Sequence, residues 1–264
     1  MSASITQRIC RLLTAQPDPA WKTAALQRDI GRFVTFANPL SVYIAAKNMQ
    51  YLDDLACADE VLADGILMSK AASRITGNRV HRHSFDGNSL AERVFSFCNE
   101  HGLRVAVIGG IEGVADLASA VISREYPDIQ IPVIRSGFFS SNHEYSDLIC
   151  ALEQAEVNVV VIGMGAPHQE TLMMKLKNAG VRGAIFSCGG YLDQLGVGRI
   201  AYYPRLIEKF NLRAAYRLFR EPRRLTRRYF IEYGNFYIGA LSSLFRSAPI
   251  SGSEASSMEG NGKR

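Results

Sequence analysis

Asn158-Val159-Val160-Val161-Ile162-Gly163-Met164-Gly165-Ala166-Pro167-His168-Gln169-Glu170 is the stretch on which the fold reading turns. Four β-branched residues in a row leave no polar face. The run therefore reads as a strand covered on both sides, as in a parallel sheet. Gly163 and Gly165 allow a tight turn, and Pro167 suits the first turn of a helix. Strand, glycine turn and helix in succession make one unit of an α/β sheet.

The same unit recurs in both directions along the chain. Short runs rich in Val and Ile predict strands at Arg32–Ala37, Leu103–Ile108, Ile129–Ile134, Asn158–Ile162 and Gly183–Ser187. Amphipathic stretches predict helices at Pro39–Gln50, Ile66–Thr76, Ser89–His101, Gly113–Glu125, Glu144–Gln154 and His168–Ala179. The expected architecture is α/β, a parallel sheet with helices on both faces. Right-handed crossovers then gather the C-terminal ends of the strands along one edge, where such sheets bind ligands. Gly109-Gly110, Gly163-Met164-Gly165 and Gly189-Gly190 fall on that edge. They read either as a diphosphate cradle of free helix-terminal amides or as ordinary turn chemistry.

The chain has 264 residues, 47% of them hydrophobic, enough for one large domain or a domain with an appendage. Cys10, Cys57, Cys98, Cys150 and Cys188 are scattered without a CxxC pair, which argues against a disulfide framework and a zinc site and for a reducing cytoplasm. The first residues lack an apolar signal region, and no run of about 18 apolar residues reads as a membrane span. Net charge is +5, unevenly placed. Ten Lys/Arg lie between Arg199 and Arg228 against only Glu208 and Glu221, so the preceding body is mildly acidic. The expected organisation is an N-terminal segment (1–29), a core (30–198), a basic helical appendage (199–246) and a disordered tail (247–264). Arginines interleaved with aromatics suit phosphate, in nucleic acid or in an anionic lipid surface. No helix-turn-helix, RRM or KH pattern accompanies them, which favours the membrane over nucleic acid. A solvated charged face is the plain alternative.

Several common nucleotide chemistries are excluded by spacing. Gly109-Gly110-Ile111-Glu112-Gly113 and Gly163-Met164-Gly165-Ala166-Pro167-His168 both miss GxGxxG, and no Walker A pattern is present. Three clusters remain. Val61-Leu62-Ala63-Asp64-Gly65 delivers a carboxylate to the ligand edge, where Asp64 is either a general base or a turn or capping aspartate. Gln169 and Glu170 sit where a helix start meets a nucleotide or sugar, although Glu there also complements the helix dipole. Arg79-Val80-His81-Arg82-His83 is dense enough in cations for an anion site, but no further His or Cys completes a metal set.

In order and spacing these segments resemble the WecG/TagA/CpsF glycosyltransferases over roughly residues 30–230. The resemblance rests on Val34-Thr35-Phe36-Ala37-Asn38, Ala63-Asp64-Gly65, Gly163–Glu170, Tyr126-Pro127 with Gly137-Phe138-Phe139, Tyr216-Arg217-Leu218, Glu221-Pro222-Arg223-Arg224 and Arg227-Arg228-Tyr229. Ala63 stands where the family usually has Pro, and Asn211-Leu212-Arg213-Ala214-Ala215 replaces its Gly-Leu-Glu-Trp. The resemblance implies a Rossmann-like core of the GT-E type with a C-terminal appendage that meets the membrane. It further implies a metal-independent, cofactor-free inverting transfer from a UDP-sugar to a polyprenyl-diphosphate-linked sugar, at the cytoplasmic face of the inner membrane. Carried over by position, Asp64 is the base. Thr35, Asn38, Arg82, Gly109, Gly110, Gly163, Gly165, Gln169 and Glu170 bind substrate, with Arg79 as the alternative to Arg82. Arg217, Arg224 and Arg227 reach the lipid diphosphate. Phe85-Asp86-Gly87-Asn88 looks like the exopolysaccharide branch typified by GumM, which implies a hexose, glucose first, as donor sugar. The alternative is N-acetylmannosamine or its uronic acid, as in the teichoic-acid and enterobacterial-antigen branches. A non-catalytic nucleotide or nucleic-acid binder is the reading from another class. Oligomeric state stays open, since appendage helices are suited to packing between subunits.

Overall fold

Every strand in the sheet runs in the same direction, as the unbroken apolar runs require. The structure, a computed structural model, describes residues 4–15, 31–196, 226 and 231–246. Six strands are β1 (Arg32–Ala37), β2 (Glu60–Ala63), β3 (Arg104–Gly109), β4 (Gln130–Arg135), β5 (Val159–Gly163) and β6 (Ala184–Ser187), in the order β2-β1-β6-β5-β3-β4. All five pairings are parallel. Alternate residues of β3, β5 and β6 enter opposite cores. Val105, Val107, Val159, Val161 and Phe186 join one cluster, while Ala106, Ile108, Val160, Ile162 and Ile185 join another.

Helices cover both faces. α5 (Leu90–Glu100), α6 (Val114–Glu125) and α9 (Tyr191–Gly196) supply the first cluster; α7 (Asn142–Gln154) and α8 (His168–Asn178) supply the second. A third cluster, around Ala37, Val61 and Ala63, is built by α1 (Ile5–Leu12), α2 (Pro39–Lys47), α3 (Met49–Cys57), α4 (Ile66–Thr76) and α10 (Gly234–Arg246). α6 follows β3 on one face and α8 follows β5 on the other. The boundary between these adjacent strands is therefore a switch point of the kind that opens a ligand crevice.

Glu60–Ala63 is a strand, although four residues beside Asp59 and Asp64 carry no legible pattern. It exists because β1 offers it an edge, with Ala37 opposite Ala63 and Arg32 ion-paired to Glu60. The single helix expected over Pro39–Gln50 divides at Asn48, whose backbone is extended (φ −140°, ψ 97°). α1 is an element the composition of the N-terminal segment did not show. It packs on α2, α4 and α10, and Thr14 N donates to Val61 O at 2.9 Å along the outer edge of β2. The appendage arginines Arg217, Arg224 and Arg227, and the tail 247–264, lie outside the described residues. Among the described residues no helix is long and apolar enough to cross a membrane.

Candidate active site

The loops that follow β2, β1, β6 and β5 stand side by side on one sheet edge. Asp64 closes β2, with its N–H bonded to Ala37 O at 2.9 Å. The N-cap of α4 is Gly65, at φ 88°, so Asp64 stands one residue ahead of the capping position. Its carboxylate meets Asn38 instead, Nδ2 donating to Oδ2 at 3.4 Å. Asn38 is thereby used twice. Its Oδ1 accepts Leu40 N at 2.9 Å as the cap of α2, and Ser41 Oγ accepts the Asn38 N–H at 3.1 Å, ahead of Pro39 in the first turn. The cap fixes the χ angles of Asn38 and leaves its amide NH2 facing the carboxylate.

Arg82 lies on the other side of Asp64. Ala63 bridges Arg82 in parallel register, and His83 N donates to Ala63 O at 2.9 Å. Arg79, three residues earlier, is exposed. The His83 imidazole is held below the ordinary histidine range, first by burial and then by the positive charges of His81, Arg93 and Arg82. Those same charges make this flank of Asp64 attractive to an anion.

Thr35, Gln169 and Glu170 are brought together, and all are buried. Glu170 Oε1 accepts Thr35 Oγ1 and Gln169 Nε2, both at 2.8 Å. Thr35 Oγ1 also lies 2.8 Å from Ser187 Oγ at the end of β6, and Gly189 N donates to Gln169 Oε1 at 3.2 Å. Burial raises the Glu170 carboxyl above its usual range, and the nearby carboxylate of Asp54 pushes the same way. Ser187 and Asp54 carried no sequence-level flag. The one visible signal was their placement, a polar residue ending an apolar strand and an acid between Tyr51, Leu52 and Leu55 on the buried side of α3.

The strand-end glycines divide by use. A Cβ at Gly109, whose φ is +150°, would stand 2.2 Å from Gly163 O, so these two backbones meet where only hydrogen fits. Gly110 packs against Val114 in the same way. Gly165, at φ +71°, has nothing within 4 Å of where a Cβ would stand. The first pair serves strand packing at the switch point; Gly165, like Gly189 at φ +55°, leaves its backbone open to a ligand's approach. The β5–α8 loop also reaches toward Asp64, since Ala166 packs on the cluster containing Ala37 and Ala63. Parallel strands stand about 4.8 Å apart, so the Asp64 and Gly189 loops, two strands apart, are separated by roughly 10 Å. That gap is on the scale of a diphosphate carrying a sugar.

Residues 12–249 match the Glycosyl transferase WecG/TagA/CpsF family. The chain belongs to that family. It is a glycosyltransferase with a six-stranded parallel α/β sheet. A relative from Shigella boydii named UDP-Gal:alpha-D-GlcNAc-diphosphoundecaprenol beta-1,4-galactosyltransferase is 32% identical over 209 residues, 79% of this chain and 85% of that protein. An N-acetylglucosaminyldiphosphoundecaprenol N-acetyl-beta-D-mannosaminyltransferase from Bacillus subtilis (strain 168) is 26% identical over 202 residues, covering 76% and 77%. A protein with the same name from Staphylococcus aureus (strain MRSA252) is 26% identical over 200 residues, 74% of each chain. In this WecG/TagA/CpsF member the Asp64–Asn38 pair, the Arg82–His83 flank and the Gln169–Glu170 network are the polar groups that the fold gathers beside one another.

Proposed function

We propose that this glycosyltransferase moves a hexose from a UDP-sugar to a sugar carried on polyprenyl diphosphate, with inversion, by one displacement. The observation that carries the reading is the Asp64 carboxylate held by Asn38 at the sheet edge, within a diphosphate's reach of an open glycine loop. The acceptor hydroxyl oxygen attacks the anomeric carbon as Asp64 takes its proton, and the bond to the UDP oxygen breaks with UDP leaving. Arg82, with the Gly165 and Gly189 loops, stabilises charge developing on the diphosphate, as fixed donors do in an oxyanion site.

The relatives named above act on diphosphoundecaprenol-linked sugars, which supports a lipid-linked acceptor. They divide between galactose and N-acetylmannosamine as the transferred sugar. For this chain we place a hexose first, with UDP-glucose and UDP-galactose the donors to try, and N-acetylmannosamine second. Exopolysaccharide assembly remains the corresponding setting. Peripheral attachment to the membrane is supported by α10. Its Phe236 is buried against the core, while Ile238 and Leu241 stand 69% and 55% exposed on one helical face and Ile231, just ahead of the helix, is 65% exposed. The basic stretch 199–228 precedes it in sequence, which suits anionic headgroups. Incubation with a panel of UDP-sugars and a polyprenyl-diphosphate-linked sugar tests the proposal. Asp64→Asn should lower turnover by roughly 10²- to 10⁴-fold with the fold intact. Turnover within a few-fold of the unsubstituted enzyme removes Asp64 from its role.

A further inference from the structure

Glu170 occupies an environment that the displacement chemistry does not explain. Its residue is 1% exposed, and among the described residues its carboxyl makes no ion pair. Oε1 takes two donors, while Oε2 is buried without a hydrogen-bond partner. Around it α3 supplies Tyr51 and Asp54, β1 supplies Thr35, β6 supplies Ser187 and its own helix supplies Gln169; none of these is a cation.

The hydrogen bonds have a direction. Each hydroxyl has one proton to give, so Ser187 donates to Thr35 and Thr35 to Glu170 Oε1. Gln169 meets an acceptor at one end of its amide, Glu170 Oε1, and a donor at the other, the Gly189 N–H. Only one of the two amide orientations satisfies both.

We propose that Glu170 is a positioning residue: its Oε1 holds the Gln169 amide with the carbonyl turned to Gly189, fixing the loops after β5 and β6 as one wall of the donor site. The inference rests on the reading of that edge as a UDP-sugar seat. Burial with no cation beside it favours the protonated carboxyl, against the two donors to Oε1, and since those donors occupy Oε1 the proton goes on Oε2. Glutamine at this position reproduces the shape, with an acceptor at Oε1 and an NH2 in place of the protonated oxygen. Alanine removes the strut, and the Gln169 amide is then free to turn.

The test compares full-length protein, Glu170→Gln and Glu170→Ala by two measurements. In ¹⁵N NMR spectra the Gly189 backbone amide and the Gln169 side-chain amide should keep their positions in Glu170→Gln and shift in Glu170→Ala. In the transfer assay Glu170→Ala should lose about ten- to a hundredfold in kcat, the scale of a small misplacement of a donor wall, and Glu170→Gln should recover most of that loss. Equal losses in both variants would overturn the proposal, because the carboxylate charge would then be what the enzyme uses. An unmoved Gly189 signal in Glu170→Ala would overturn it as well. If Glu170→Ala does not fold, Thr35→Val and Thr35→Ser make the same comparison: valine, which removes one donor to Oε1, should move the Gly189 signal and serine should not. If the unsubstituted protein transfers no sugar, the functional reading falls, while the NMR comparison still decides whether Glu170 is the strut.

Discussion

Asn38→Asp puts a second carboxylate where an amide now faces Asp64. The heavy atoms are 3.4 Å apart. At that distance two unit charges repel by about 1 kcal/mol in water and about 5 kcal/mol at an effective dielectric of 20. Both residues are half-buried, which places the interaction in the lower part of that range. Since one pH unit corresponds to about 1.4 kcal/mol, the acid limb of kcat/KM should move up by ~1–2 units. The sign follows from the role: a base must be ionised to work, and a like charge beside it delays ionisation. Aspartate caps a helix as well as asparagine does, so α2 should keep its stability. Asn38→Ala separates the effects: it costs about 1 kcal/mol through the lost cap and, removing one donor to the Asp64 carboxylate without adding a charge, moves the limb up by less than Asn38→Asp does. The assay is the shape of the pH–rate profile, so a uniform loss of donor affinity does not disturb it. A folded Asn38→Asp enzyme whose acid limb coincides with that of the unsubstituted protein refutes the assignment of Asp64 as base.

Three further outcomes follow from particular contacts. Gly109→Ala drives a Cβ into the Gly163 backbone, which no rotamer relieves; denaturant unfolding should show a loss of about 1–3 kcal/mol or more, and a loss under 0.5 kcal/mol would disprove the close approach at the switch point. Gly239→Ala presses a Cβ to within 2.1 Å of Thr6 Oγ1, where Thr6 also donates to Asn235 O at 3.4 Å. It should loosen the α1–α10 contact by ~1–3 kcal/mol, with Thr6→Gly restoring part of it in the double variant; strict additivity of the two changes would argue against the contact. Burial raises the folded-state pKa of Glu170, so its contribution to stability is full below the unfolded value of about 4.3 and is lost as pH rises through the folded value. The stability of Glu170→Gln relative to the unsubstituted protein should therefore climb with pH above about 4.5 and then level off, measured as denaturant midpoints. A difference that stays flat with pH counts against a proton held in the fold.

Residues whose role follows from a local pattern were legible early. Val159–Ile162 had to be a doubly covered strand because no polar side chain offered a solvent face, and the aspartate ending an apolar run had to fall at the end of a strand. β2 and α9 were not legible, since four and six residues hold too little periodicity to separate a strand or helix from a turn. The strand-end glycines looked alike in sequence. Their division into backbone packing at Gly109 and Gly163 and open approach at Gly165 depends on which strands are neighbours, and β3 and β5 are 50 residues apart in the chain.

The sequence by itself determined the α/β class, the strand ends that carry glycine turns, and a family resemblance resting on ordered motifs. Those are properties of short windows, where side-chain pattern and turn chemistry act within a few residues. Only the tertiary structure decided that Asn38 rather than a helix terminus receives the Asp64 carboxylate. It also decided that Arg82 rather than Arg79 lies beside Ala63, and that Thr35, Ser187, Gln169 and Glu170 form one buried network. Those facts depend on the strand order β2-β1-β6-β5, which sets residues more than a hundred positions apart within hydrogen-bonding distance, and no local pattern in the chain encodes that order.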